Sequence, residues 1–226
     1  MRFFGTLVVW VVSLPLLFAQ EGTLEQELGT FDQIKVFDGI SVELIKASEN
    51  KIIVSGEDVD KVAVVNNNGT LKIRMEIDKI FNGFETFAKV YYSGRIDLID
   101  VNENAYISLS EPLKQIAVEL RAQEGGEIDV VLDVQRLEVK AVTGGTIEAS
   151  GKAINQNVSV NTGGNYEGDD MKTEQTKVVV NAGGNAYVNA SEYVEASVRA
   201  GGRIRIYGDP KVIDKKKFLG GRIIEQ

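Results

Sequence analysis

The 226-residue chain contains no cysteine and no histidine. Disulfides, thiol nucleophiles and imidazole general bases are therefore excluded, as are zinc and copper sites built on Cys or His ligands. Proline occurs three times, against 23 glycines. Basic residues are in the minority, 25 Lys and Arg against 33 Asp and Glu, for a formal charge of -8 and a pI near 4.8. That balance argues against general nucleic-acid binding, which needs a basic surface. Phosphate loops are missing too: no G-x-x-x-x-G-K-[ST] occurs, and no G-x-G-x-x-G opens a helix. Nothing in the residues implies a cofactor or a metal.

Long apolar runs are confined to the first twenty residues, MRFFGTLVVWVVSLPLLFAQ. Arg2 gives a short positive start, Phe3 to Phe18 is almost wholly apolar, and Ala19 follows. This is the layout of a secretory signal peptide over residues 1–19, with the mature chain starting near Gln20. The run is short for a bilayer span, which takes about 20 apolar residues. No cysteine follows it to carry a lipid anchor, and no second apolar span exists. The expectation is an exported protein (periplasmic, outer-surface or secreted) with no membrane span after cleavage.

What the chain does have is a repeat. Double glycines fall at Gly125-Gly126, Gly144-Gly145, Gly163-Gly164, Gly183-Gly184, Gly201-Gly202 and Gly220-Gly221, spaced 19, 19, 20, 18 and 19 residues apart. Five residues before the pairs stand Leu120, Val139, Val158, Val178 and Ala196; three before stand Ala122, Ala141, Val160, Val180 and Val198. Two after the second glycine stand Ile128, Ile147, Tyr166, Ala186, Ile204 and Ile223, and four after stand Val130, Ala149, Gly168, Val188 and Ile206. Period-two alternation means strands with one face buried. The same columns being apolar in successive copies means that the copies stack in register, so that each coil completes the core of its neighbour. The fold class is all-β: a single-stranded parallel β-helix, expected to be right-handed, with about 19 residues per coil and glycines at the corners. An antiparallel β-sandwich, whose turns also recur regularly, is the alternative.

Upstream, the pattern is less regular. IDVNENAYI, 99–107, aligns with VNAGGNAYV, 180–188, putting Asn102-Glu103 in the Gly-Gly place. FDQIKVFDGISVELIKA and NKIIVSG alternate as strands, and NNNGTLKIRM holds a turn at Asn68-Gly69 followed by a strand. No Pro- or Ser-rich linker interrupts the chain, so one domain is expected over 24–226.

Phe31, Ile34, Val36, Gly39, Ile40, Val42 and Leu44, followed by IIVSGED and NNGTLKI, resemble the opening of the auto-transporter adhesin head domain family, also called the head GIN domain and common in Bacteroidetes. Ile206 to Pro210, followed by FLGGRI, is similar to that family's closing motif. The resemblance implies a β-helix in which Gly-Gly stands at corners that are sGsG elsewhere, a Gram-negative source, and an adhesin-like role. It carries over no catalytic or ligand residue.

Residues capable of chemistry stand on the outward positions. Glu148, Glu167, Asp169 and Asp170, with Arg203 and Arg205, are the candidates for acid–base work on a polysaccharide. Their alternation with core residues reads more simply as solvated faces, and the chain is expected not to be an enzyme. EGDD lacks the glycine-aspartate nonapeptide of calcium β-rolls, and KKK at 215–217 reads as a solvated loop. One stripe stands above these. Residues one and three places after each glycine pair run Glu127 and Asp129, Thr146 and Glu148, Asn165 and Glu167, Asn185 and Tyr187, then Arg203 and Arg205. The sign changes from acidic to basic along the stack. Asn165, Asn185, Tyr187, Arg203 and Arg205 form the candidate ligand-binding site, suited to a glycan or a cell-surface protein. A structural or envelope-stress module is the alternative role, and a polysaccharide lyase or hydrolase a third.

Overall fold

Strand alternation and a glycine-marked turn per coil build the observed architecture directly. The computed structural model describes residues 22–226, so the leader at 1–19 lies outside the described residues. The strands run, in chain order, β1 Thr23–Glu27, β2 Gln33–Val36, β3 Ser41–Lys46, β4 Lys51–Gly56, β5 Val62–Asn67, β6 Thr70–Met75, β7 Thr86–Tyr92, β8 Leu98–Val101 and β9 Tyr106–Leu109. They continue as β10 Leu113–Ala122, β11 Glu127–Val142, β12 Thr146–Asn161, β13 Asn165–Asn181, β14 Asn185–Arg199, β15 Arg203–Tyr207, β16 Val212–Phe218 and β17 Arg222–Glu225. All belong to one continuous 17-stranded sheet. From β8 onward every pairing is parallel, which settles the choice between parallel stack and sandwich.

The apolar columns stack as the sequence requires. Leu120 lies beside Val139, Val139 beside Val158, Val158 beside Val178 and Val178 beside Ala196. All five are buried, as are Ala122, Ala141, Val160, Val180 and Val198 in the next column. Each buried Val contributes about 1.5–3 kcal/mol relative to exposure, but only because the next coil covers it.

In the corners before β11, β12, β13 and β14 the two glycines of a pair do different jobs, whereas at Gly201-Gly202 and Gly220-Gly221 both take positive φ. In the corner before β12, Thr143 and Gly144 have φ of 48° and 77°, and Gly145 N–H donates to the Val142 carbonyl at 2.9 Å. Two successive positive φ values close the tight turn that matches strand twist. Gly145 has no such φ; a Cβ there would run into the Ala122 carbonyl of the preceding coil. The other bends of each coil carry no paired glycine. They show as two adjacent exposed residues, Gln135-Arg136 or Ile154-Asn155, where the alternation changes phase.

Two features depart from the sequence reading, and one, the coil order of the first strands, lies beyond it. Residues 99–107 are displaced by two from the expected alignment. Val101 pairs with Ala122, and Tyr106 with Glu127, so the pair taking the place of Gly183-Gly184 is Asn104-Ala105, not Asn102-Glu103. The positive φ values fall on Glu103 and Asn104, 55° and 58°. Next, the first strands do not form the outermost coil. β2 lies between β6 and β8, and β3 between β7 and β9, while β1, β4 and β5 close that end by antiparallel pairing. Last, Lys215–Lys217 lie on strand β16, not in a loop. Lys215 falls in the core column after Ala196, and Lys217 in the column after Val198. Glu225 follows Ile206 in a third column and pairs with Lys215. Three core columns thus end in charged side chains at this edge of the described residues, while Ile213 and Ile223 continue the columns of Val194 and Ile204, and charge at an edge discourages edge-to-edge stacking.

Candidate functional site

Because successive coils keep register, outward side chains on the sheet after the glycine turn repeat at the strand spacing of about 4.8 Å. Two columns result. The first runs Glu127, Thr146, Asn165, Asn185, Arg203 and Arg222; the second runs Asp129, Glu148, Glu167, Tyr187, Arg205 and Ile224. All five candidate residues therefore share one face, on three adjacent strands, and each is half-buried. Asn165 and Asn185 are neighbours, with Arg203 next; Tyr187 lies beside Arg205.

Contacts along these columns set the chemistry. The Arg205 guanidinium sits over the Tyr187 ring, 5.4 Å from its centroid. That cation–π contact fixes both groups. It also covers one ring face, so Tyr187 does not offer both faces to a ligand. Arg205 Nε is buried and has no partner. Asn165 Nδ2 donates to Glu167 Oε1 at 2.6 Å, which orients the amide within its own strand.

The acidic half is a ladder. Asp129, Glu148 and Glu167 follow one another in register. Partial burial raises the Glu148 carboxyl above the usual carboxylate range, and the like charges of Asp129, Glu167, Asp169 and Asp170 push the same way. Asp169 and Asp170 sit in the one-residue register shift between β12 and β13 that takes the coil spacing from 19 to 20 residues. Among the described residues, no group of three or more His, Cys, Asp or Glu is arranged to hold a metal ion.

The structure adds residues that the sequence reading missed. The first column continues upstream through Tyr106, Ser41 and Phe87. Phe87 and Tyr106 flank Ser41, and with Glu43, Lys89, Ser55 and Ser108 they line a cleft of about 480 Å³. Aromatic rings two strands apart around a hydroxyl floor form a slot on the same face. The signal was in the sequence, but the inverted coil order hid which strands are neighbours. A larger cleft, about 720 Å³, is lined by Arg95, Ile116, Glu119, Arg136 and Glu138.

Residues 30–210 match the family described as "Putative auto-transporter adhesin, head GIN domain". Among solved structures, a "putative adhesin" from Bacteroides fragilis superposes with a TM-score of 0.85 at 19% identity, covering 92% of this chain and 98% of that one. A "putative lipid binding protein" from Parabacteroides distasonis gives 0.69 at 17%, covering 92% and 97%. A "putative adhesin" from Parabacteroides merdae gives 0.67 at 16%, covering 92% and 97%. At these identities the likeness shows the fold. No curated protein matches this chain.

Proposed function

The chain belongs to the auto-transporter adhesin head (head GIN) family, and from that premise we propose that it is an exported, non-enzymatic β-solenoid that binds a glycan or cell-surface protein on the face after its glycine turns. The observation that carries this reading is the unbroken register of the outward columns. A parallel stack holds Asn165, Asn185, Tyr187, Arg203 and Arg205 at fixed spacing on a rigid sheet, so little ordering cost is left for binding. Amides and a tyrosine hydroxyl satisfy sugar hydroxyls or peptide groups, and the guanidiniums favour an anionic group at that end. The acidic ladder from Asp129 to Glu167 orients a charged ligand by repelling its anionic end. Exposed charges of this kind lose influence as salt rises.

The test is a glycan array, with surface-protein capture in parallel, comparing wild type with Tyr187→Ala/Arg205→Ala and with Phe87→Ala/Tyr106→Ala. Loss in the first variant places binding on the stripe, and loss in the second places it in the upstream slot. Absence of binding by wild type across a broad panel rejects the reading.

A further inference from the structure

At the corner between β6 and β7, in the outermost coil, the tight turn is replaced by a longer loop, residues 76–85. This loop carries the largest concentration of exposed apolar side chains among the described residues. Ile77 is 82% exposed, Ile80 45%, Phe81 56% and Phe84 58%, and Phe87 follows on β7 at 52%. We propose that this loop inserts into a neutral lipid surface; the proposal is independent of glycan or protein binding on the sheet face.

The loop is built rather than left over. Asp38 is buried, and its carboxylate accepts the Met75 N–H at 3.0 Å and the Phe81 N–H at 3.1 Å, while its carbonyl accepts the Gly83 N–H at 2.8 Å. Phe81 is held at φ 63°, an unfavourable backbone for an aromatic residue, with its side chain in solvent. Strain of this sort persists only where surrounding bonds impose it.

Two observations select the occupant. Part of the loop's backbone is paired internally: Lys79 N–H with the Glu76 carbonyl at 2.9 Å, Asn82 N–H with the Lys79 carbonyl at 3.1 Å, and Thr86 N–H with the Gly83 carbonyl at 2.9 Å. Each such pair lowers the cost of leaving water, since hydrocarbon offers no partner. The charges between Ile77 and Phe84 are also tied back to the base of the loop. Asp78 pairs with Lys61 at 3.1 Å, and Lys79 with Asp58 at 3.1 Å. What remains outermost is apolar, and its base is acidic, with Glu85 against Glu57, so attraction to an anionic headgroup is not the driving force.

Flotation of the mature chain with neutral phosphatidylcholine–phosphatidylethanolamine vesicles tests this, alongside vesicles containing phosphatidylglycerol, at low and high salt. Wild type is expected to float with both, with little dependence on salt. Phe81→Ser/Phe84→Ser is expected to bind about 10-fold more weakly or less, with an unchanged melting temperature because these side chains are exposed. The proposal is overturned by no flotation with neutral vesicles, by flotation confined to anionic vesicles and abolished by salt, or by a melting temperature lowered by the double substitution, which would make the rings packing elements. A concentration-dependent dimer that the substitution dissolves also overturns it, in favour of a second copy as the occupant.

Discussion

Substituting the two glycines of one corner separately should give very different losses. At Gly144 a Cβ meets nothing within 4 Å, so the cost of Gly144→Ala is the left-handed backbone alone, about 1–2 kcal/mol. At Gly145 the backbone is ordinary, but the new methyl would meet the Ala122 carbonyl of the coil below. The coils must part locally. Overpacking of that kind costs about 1–3 kcal/mol. It also strains two bonds that stitch the corners together, Thr146 N–H to the Gly126 carbonyl and Asn165 N–H to the Gly145 carbonyl, both 2.9 Å. Weakening each adds about 0.5–1.5 kcal/mol, so Gly145→Ala should cost about 4 kcal/mol. Urea unfolding, with the slope held constant between variants, measures both. Gly163→Ala and Gly164→Ala repeat the comparison one coil on, where the second glycine abuts the Ala141 carbonyl. Equal losses within a pair, or a larger loss at the first glycine, would refute the division of labour.

Three further outcomes can be measured, two argued from the structure and the last from the sequence of residues 1–20. Lys215→Val/Lys217→Val/Glu225→Val continues the apolar columns to the open edge and should cause concentration-dependent end-to-end association in light scattering; a strictly monomeric variant would deny the charged residues their capping role. Glu148→Gln should stabilise the protein at neutral pH. Because the folded Glu148 carboxyl titrates above its unfolded value, its protonation adds stability as pH falls and that stability is lost as pH rises through the raised value. The advantage of the Gln variant over wild type should therefore shrink on acidification through the region just above the usual carboxylate range, and an advantage independent of pH would contradict the ladder. On export, the N-terminus of the natively exported protein should lie near Gln20 by intact mass, whereas Met1 retained on a membrane-bound chain would refute processing there.

The columns were legible because each glycine pair fixes register once per coil, and alternation then assigns every residue to a side. Where that marker is missing, alternation alone fails in a characteristic way. A slip by two residues leaves every side chain on its own face, so the pattern of 99–107 could not expose its own error. The capping lysines were misread for a related reason. Charge in a core column contradicts burial only where another coil follows, and among the described residues β16 pairs on one side only, with β14. The large Tyr166, fully buried between Ile147 and Ala186, fits because Gly168 leaves the space that its ring and hydroxyl occupy, and Gln156 donates to that hydroxyl. Such compensation between neighbours in a core is invisible to column counting. The candidate stripe was legible residue by residue, whereas the stacking of Arg205 on Tyr187 and the upstream slot required the coil order. The apolar loop at 76–85 carries neither period nor glycine pair.

The most direct measurement is a binding titration of the strongest ligand from the array against wild type and Tyr187→Ala/Arg205→Ala, with melting temperatures in parallel. Central, well-packed contacts of a binding site typically contribute about 2 kcal/mol or more. The account predicts a Kd raised about 30-fold or more by the double substitution, in a protein that melts within a few degrees of wild type. An unchanged Kd in a folded variant would contradict it.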